Sequence, residues 1–480
     1  MSFEYPALEL LIAGRWVSGG GRKTEPVLNP STEAVLAELP HATSADIDEA
    51  IVAAAKGFQV WRHKSPHERA GILRRTAELM RERREYLANL ITMELGKPIG
   101  DARLEVEQAA GMFEWNAEEG KRAYGRVIPA RSDKIQQIAV KEPVGPIAAF
   151  SPWNAPTITP SRKISGALAA GCSVIIKPSE ETPATALAIG HMMLEAGLPE
   201  GVLSIVFGDP VAISRQLIES PVIRGITFTG STNVGKQLAG LAVQGMKRMT
   251  LELGGHAPVV VFDDVNVDAV AKSAATAKYR NGGQVCTSPT RFYVHESIHD
   301  RFVEKFAEHA EAIMVGDGFD TATVMGPLAN ARRVEAMEKL VGDAQARGIR
   351  IAAGGQRVGN RGFFYRPTLL ENVNNDSMAA NIEPFGPLAM TTPFGSFDEV
   401  VTLANRLPFG LAAYAMTNDL SRARAISGAI ESGNVVLNHW QVSLPETPFG
   451  GYKDSGVGSE GGIEGLYAFQ NTKFVSQAVS

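Results

Sequence analysis

The sequence predicts an α/β protein built on two doubly wound open sheets, with a small extra β element. Three observations carry this. First, the short apolar runs "PIAAF", "SVIIK", "LSIVF" and "GITFT" alternate with the helical patterns "SRKISGALAAG", "PATALAIGHMMLEAG" and "PVAISRQLIES". Strand and helix in strict alternation argue a parallel sheet with right-handed crossovers. Second, another α/β series runs from "APVVVFDD" to about Pro445. Third, Gly125 to Gly145 reads as a hairpin that leaves the first unit, and "AFQNTKFVSQ" reads as a last strand. Strands that leave a domain often pair with another subunit.

The elements follow in chain order. Thr43 stands three before Asp46, a capping-box start, and Ile47, Ala50, Ile51 and Ala54 then recur at helical spacing. The next helix is expected over roughly Pro66 to Leu95. Its "RRTAELMRERRE" mixes signs, so it reads as a solvated face with Arg–Glu pairs rather than a nucleic-acid patch. The formal net charge of −5 gives no field to draw in nucleic acid or an anionic membrane. No run approaches the ~18 apolar residues of a membrane span. The N-terminal stretch has neither a basic n-region nor a long apolar h-region, so no signal peptide is expected. Two cysteines fit a reducing compartment and no disulfide framework. The nine histidines form no metal-ligand spacing.

Polar and glycine residues cluster after each predicted strand: "SPWN" after "PIAAF", "PSE" after "SVIIK", "TGSTNVGK" after "GITF". The carboxyl edge of a doubly wound sheet is where ligands bind. Gly230 to Gly235 opens a helix, whose free N–H groups suit a pyrophosphate. "GSTNVG" is not GxGxxG, so a plain glycine turn capping a helix stays open as a reading. Cys286 follows Asn281, Gly282, Gly283 and Gln284, residues of turns and polar contacts. It is either a nucleophile near a helix end, where a thiolate is favoured, or a buried structural cysteine. Cys172, inside "ALAAGCSVIIK", reads as small core filler. Glu252 lies between Leu251 and Leu253. It either pairs locally or is a carboxylate of raised pKa suited to general base work.

Seven strings, "SPWN", "IIKPSEETP", "TFTGS", "LELGG", "GQVC", "EPFGP" and "PFGGYKDSG", occur in this order. Together they resemble the aldehyde dehydrogenase superfamily over nearly the whole chain. The resemblance implies an NAD(P)-binding domain over 1–124 and 146–253, and a catalytic domain over 254–445. It implies an oligomerisation element over 125–145 and 466–480, in a cytoplasmic homodimer or homotetramer. It makes Cys286 the nucleophile that forms a thiohemiacetal and then a thioester. Asn154 and the Cys286 N–H would hold the oxyanion, and Glu252 would activate the hydrolytic water. Lys163 and Glu460 match positions that hold or relay protons near that base, against the plainer reading of a surface ion pair.

For the cofactor, the resemblance places Lys177 and Glu180 at the adenosine ribose, Ser179 among the cofactor contacts, and Gly230 and Ser231 at the pyrophosphate. Glu383 matches the residue that holds the nicotinamide ribose, Phe385 would pack on the ring, and Trp153 and Leu253 are implied as further cofactor contacts. A carboxylate at Glu180 repels a 2′-phosphate, so NAD is expected, with NADP left open. Pro384 stands where the family more often has an apolar residue. "YRNGGQVC" and "GSEGGIEGLYAFQNTKFV" are most similar to the succinate-semialdehyde and α-ketoglutarate-semialdehyde branch. That likeness assigns Arg162 and Arg280 to the substrate's remote carboxylate, which suits the arginine fork. Their other reading is helix-surface pairing. One departure is Leu444, where some members have Ser, with Ser443 one step away. Another is Thr287 and Ser288 after the nucleophile, where some members have a second cysteine. Competing readings are a CoA-acylating dehydrogenase, a general aldehyde dehydrogenase, and a catalytically silent binding protein on this scaffold.

Overall fold

The computed structural model describes residues 3–478, so residues 1, 2, 479 and 480, at the ends of the expected spans, lie outside the described part. The alternating apolar runs form the centre of an eight-stranded sheet. Its order is Arg15–Val17, Leu10–Ile12, Leu203–Ile205, Val174–Lys177, Ile147–Phe150, Gly225–Thr229, Arg248–Glu252, Gly456–Val457. The five strands from Leu203–Ile205 to Arg248–Glu252 are parallel. Ile147–Phe150 and Val174–Lys177 are buried at every residue, because helices cover both faces of such a sheet. Parallel pairing puts Phe150, Lys177, Thr229 and Glu252 on one edge.

A second, seven-stranded sheet has the order Arg350–Ala353, Thr368–Glu371, Leu388–Phe394, Pro289–His295, Ala257–Val261, Ala412–Met416, Asn434–Leu437. It is parallel except at its Arg350–Ala353 edge. The two sheets are joined twice. The chain passes from Glu252 through Gly254 and Gly255 into Ala257–Val261. Gly456–Val457 also returns to pair antiparallel with Leu251 and Glu252.

The expected hairpin is Arg126–Ile128 with Ile135–Pro143, and the last strand, Gln470–Ala478, pairs with Ile135–Pro143 along nine residues. This three-stranded sheet stands apart from both others and leaves Val127 and Phe474 exposed. Among the described residues no helix is long and apolar enough to cross a membrane.

One element differs from expectation. The single helix over Pro66 to Leu95 is two helices, Pro66–Glu82 and Arg84–Leu95, broken at Arg83 with φ −107° and ψ 26°. The run Arg81 to Glu85 holds no apolar residue, so no buried seam carries the helix across it. The Thr43 box is present: its side chain caps Asp46 N–H, and Asp46 returns to the Thr43 N–H.

Candidate active site

The nucleophile loop lies between the helix Val267–Tyr279 and the strand Pro289–His295. Asn281, Gly282 and Gly283 all take positive φ, at 52°, 61° and 68°. A Cβ at Gly283 would meet the Gly386 carbonyl oxygen at 2.2 Å, so only glycine fits. Gln284 braces the loop, with Nε2 donating to Asn281 O at 3.1 Å and Oε1 accepting from Ala329 N–H at 2.9 Å. Cys286 is half-buried, while Cys172 is fully buried with its Sγ 3.4 Å from Phe469 O. Burial pushes the Cys286 thiol up to about 12, the charges of Glu252 and Glu383 add to this, and Arg162 opposes it. The expectation of a helix end that favours the thiolate is therefore corrected: Cys286 sits in a turn before a strand and is held protonated.

Asn154 is buried, and its Nδ2 donates to Gln284 O at 3.0 Å, which leaves a second amide N–H. Its own carbonyl accepts from Asn281 Nδ2 at 3.0 Å and from Lys97 Nζ at 3.3 Å. The Asn154 turn and the nucleophile loop are thus bonded in both directions.

Glu252 ends its strand 2% exposed, and neither carboxylate oxygen has a hydrogen-bond partner among the described residues. Burial first, and the Glu460 charge second, raise its pKa well above the usual carboxylate value. Lys163 Nζ lies 2.5 Å from Glu460 Oε1 and 3.0 Å from Thr227 Oγ1, and Thr227 Oγ1 donates to Glu460 Oε1 at 2.9 Å. Lys163 is fully buried, and burial lowers its pKa against the pull of Glu460. This is a closed triangle beside Glu252 and not a surface pair.

The predicted cofactor residues follow the carboxyl ends of the first sheet's strands, apart from Glu383 and Phe385, which come from the second sheet's side. Lys177 Nζ pairs with Glu180 and donates to Pro178 O at 3.2 Å, and Ser179 Oγ bonds Glu181. Gly230 N–H donates to Glu252 O at 3.0 Å. Ser231 caps the helix Thr232–Gln244. Leu253 presses on that helix so closely that a Cβ at Gly235 would lie 2.2 Å from Leu253 Cδ2. Glu383 reaches across from the second sheet and accepts from Gly255 N–H at 3.2 Å. Burial lifts its carboxyl to about 7, against the pull of that N–H, Arg333 and Lys278. Trp153 and Phe385 meet edge to face at 5.5 Å, and Arg333 Nη2 donates to Pro384 O at 2.5 Å.

A half-buried thiol, a second amide N–H and an unpartnered buried carboxylate can serve as nucleophile, oxyanion donor and base. A model of the aldehyde dehydrogenase family matches residues 16–475. The chain belongs to the aldehyde dehydrogenase family. It is 44% identical over 471 residues to the 4-(hydroxymethyl)benzenesulfonate dehydrogenase of Comamonas testosteroni, covering 98% of each chain. A succinate-semialdehyde dehydrogenase structure from Burkholderia pseudomallei matches with a TM-score of 0.96 at 41% identity, over 98% of both chains. A betaine aldehyde dehydrogenase from Staphylococcus aureus, solved in complex with NAD+, matches with a TM-score of 0.96 at 30% identity, over 98% of this chain and 95% of that one.

In this aldehyde dehydrogenase the two arginines stand in different surroundings. Arg162 is buried, donates to Ser443 Oγ at 2.6 Å, lies 5.0 Å from the Phe449 ring, and has no partner for Nε among the described residues. Arg280 is exposed on the wall of a cavity of about 390 Å³ shared with Asp101, Lys272 and His309. Its charge acts on Asp101 and Tyr414, and Tyr414 OH donates to Thr287 O beside the nucleophile at 2.7 Å. Ser443 takes φ 75° to reach Arg162, a contact that its one-step offset from the family position concealed. Lys97, Glu105, Thr157 and Thr227 were not singled out by motif. A charged residue inside an apolar helical pattern was the one signal, and it marks Glu105.

Proposed function

We propose that this aldehyde dehydrogenase oxidises an aldehyde bearing a remote anionic group to the free carboxylic acid, with NAD as hydride acceptor. One observation carries the reading: the half-buried Cys286 thiol feels the charge of Glu252, a carboxylate without a partner among the described residues, while the Asn154 amide is bonded into the Cys286 loop at Gln284 O. The residues present fit the cofactor. Ser151 Oγ and Thr229 Oγ1, at the strand ends on that edge, have no partner among the described residues, and Ser231 caps the helix that opens there. Lys177 and Glu180 would hold the adenosine ribose, Ser231 the pyrophosphate, and Glu383 the second ribose. When bound, NAD supplies the acceptor for the hydride.

The chain's own residues do the rest. The Cys286 thiol gives its proton to solvent water, and the thiolate sulfur adds to the aldehyde carbon, with Arg162 the charge that favours the thiolate. Asn154's second N–H and the Cys286 N–H meet the oxygen that becomes negative. Once the thioester exists, Glu252 takes a proton from water, for which a raised pKa is suited. The buried Lys163–Glu460 pair tunes that base. Arg162 supports the anionic tail: it is buried and its Nε has no partner among the described residues. The two similar proteins named above for anionic substrates carry a sulfonate and a carboxylate.

The test is NAD reduction with a panel of neutral, carboxylated and sulfonated aldehydes, with and without CoA. Free acid formed without CoA supports the reading. Acyl-CoA as the required product would refute the hydrolytic step.

The separate sheet of Arg126–Ile128, Ile135–Pro143 and Gln470–Ala478 supports a homodimer or homotetramer, because its edge and its exposed Val127 and Phe474 invite pairing. A monomer in sedimentation at micromolar concentration would overturn this. The free thiols Cys172 and Cys286 support a reducing compartment such as the cytoplasm.

A further inference from the structure

We propose that the buried Lys97–Glu105 ion pair is a positioning element for the Asn154 amide, deepening the aldehyde dehydrogenase reading on which it rests. Lys97 precedes the helix Ile99–Glu119, on which Glu105 sits, and the two are 7% and 4% exposed. They pair directly. A buried pair of this kind is weak as a source of stability, since desolvating two charges costs about what their attraction returns. Its bonds show what it does. Glu105 Oε1 accepts from Thr157 N–H at 2.9 Å and from Thr157 Oγ1 at 2.8 Å. Thr157 opens the helix Ile158–Ala170 and makes no side-chain cap of its own, so Glu105 supplies that acceptor from another helix. The same helix carries Arg162 and Lys163.

Lys97 Nζ also donates to Asn154 O at 3.3 Å, where Asn281 Nδ2 of the nucleophile loop donates at 3.0 Å. One ion pair therefore grips both ends of the turn Asn154 to Thr157. The Asn154 carbonyl is the point at which that grip meets the Cys286 loop. Without the pair, the turn keeps its sequence but loses the anchor that aims the amide. The loss falls on the step in which an oxyanion forms, not on the thiol itself.

Two rates separate these. Aldehyde oxidation needs the oxyanion, whereas alkylation of Cys286 by iodoacetamide builds none. Cys172, fully buried, stays silent to that reagent. In Glu105→Gln and Lys97→Met, kcat should fall roughly 10- to 100-fold, the scale of a small misplacement of a catalytic group. The aldehyde KM and the alkylation rate should each stay within about threefold of wild type. Thr157→Val, which deletes one hydroxyl, should give a smaller loss in the same direction and serves if the charged-residue variants do not fold. Unchanged kcat in a folded variant would overturn the proposal. So would oxidation and alkylation falling together, because that marks general disorder of the site. A wild-type enzyme that alkylates normally but oxidises no aldehyde would sink the underlying reading instead.

Discussion

Glu252 stands close enough to Cys286 for its carboxylate to be, after burial, the largest cause that raises the thiol. The base thus restrains the nucleophile. The thiol is pushed up to about 12, so the reactive thiolate is scarce at neutral pH. Below the pKa its share grows about tenfold per pH unit. Alkylation of Cys286 by iodoacetamide should therefore keep rising from pH 7 to about 10 without a plateau. In Glu252→Gln the carboxylate's push is gone, and the whole profile should move to lower pH. A plateau in the wild type below about pH 9 would contradict this account of the site.

The same carboxylate gives a kinetic prediction. Glu252→Gln should keep acylation and lose the base that activates water. NADH should appear as a burst of about one per site, followed by a steady state slower than wild type by roughly 10²- to 10⁴-fold. Rapid-mixing absorbance is the measurement. If the burst vanished along with turnover, Glu252 would be needed for the thiol proton as well, and its assignment to water alone would fail.

A third prediction concerns stability away from the site. Glu94 is fully buried and accepts from Ala184 N–H at 2.7 Å, Thr185 N–H at 3.1 Å and Tyr5 OH at 2.5 Å, and it also bonds Thr185 Oγ1. It caps the helix Pro183–Glu195 from a helix 90 residues earlier in the chain. Glu94→Ala leaves several buried donors unpaired, at about 1–3 kcal/mol for each. Its thermal midpoint should drop by several degrees, while Glu94→Gln, which keeps one acceptor oxygen, should drop less. Burial holds the Glu94 carboxyl at about 7, above its ordinary 4.5. That sign means its contribution is complete below about 4.5 and is lost as pH rises through 7. The gap between wild type and Glu94→Gln should narrow over that window.

What the sequence showed and what it hid divide by distance along the chain. Cys286 and Glu252 each stand in a short string whose neighbours are turn residues or a strand end, so local chemistry raised them as candidates with two readings each, and the ordered family strings chose between these and added Asn154. The parallel sheet was legible for the same reason, since each strand and helix is one uninterrupted pattern. Glu105 and Lys97 act on partners 52 and 57 residues away, and nothing local announces that. The direction of the Cys286 shift was also hidden, because it comes from burial by distant elements and from two carboxylates, Glu252 and Glu383, on other strands and loops. The break at Arg83 escaped because helical propensity runs straight through "RERRE" while packing does not.

The last prediction concerns the anionic tail, where Arg162 and Arg280 should act unequally. Arg162 is buried, and a charge-assisted bond from a buried guanidinium contributes roughly 1.5–3 kcal/mol. At ~1.4 kcal/mol per tenfold, that is about 10- to 100-fold in kcat/KM for succinic semialdehyde over butanal. Arg162→Lys keeps the charge that favours the Cys286 thiolate but loses the planar fork, so it should erode this preference and leave butanal nearly unchanged. Arg280 is exposed beside Lys272 and His309, where water and salt screen it. Arg280→Lys should cost less than Arg162→Lys, and what it costs should shrink as ionic strength rises. Steady-state kinetics with both aldehydes at low and high salt measure all four effects. Equal kcat/KM for the two aldehydes in the wild type would remove the anion clamp and leave an aldehyde dehydrogenase of general specificity.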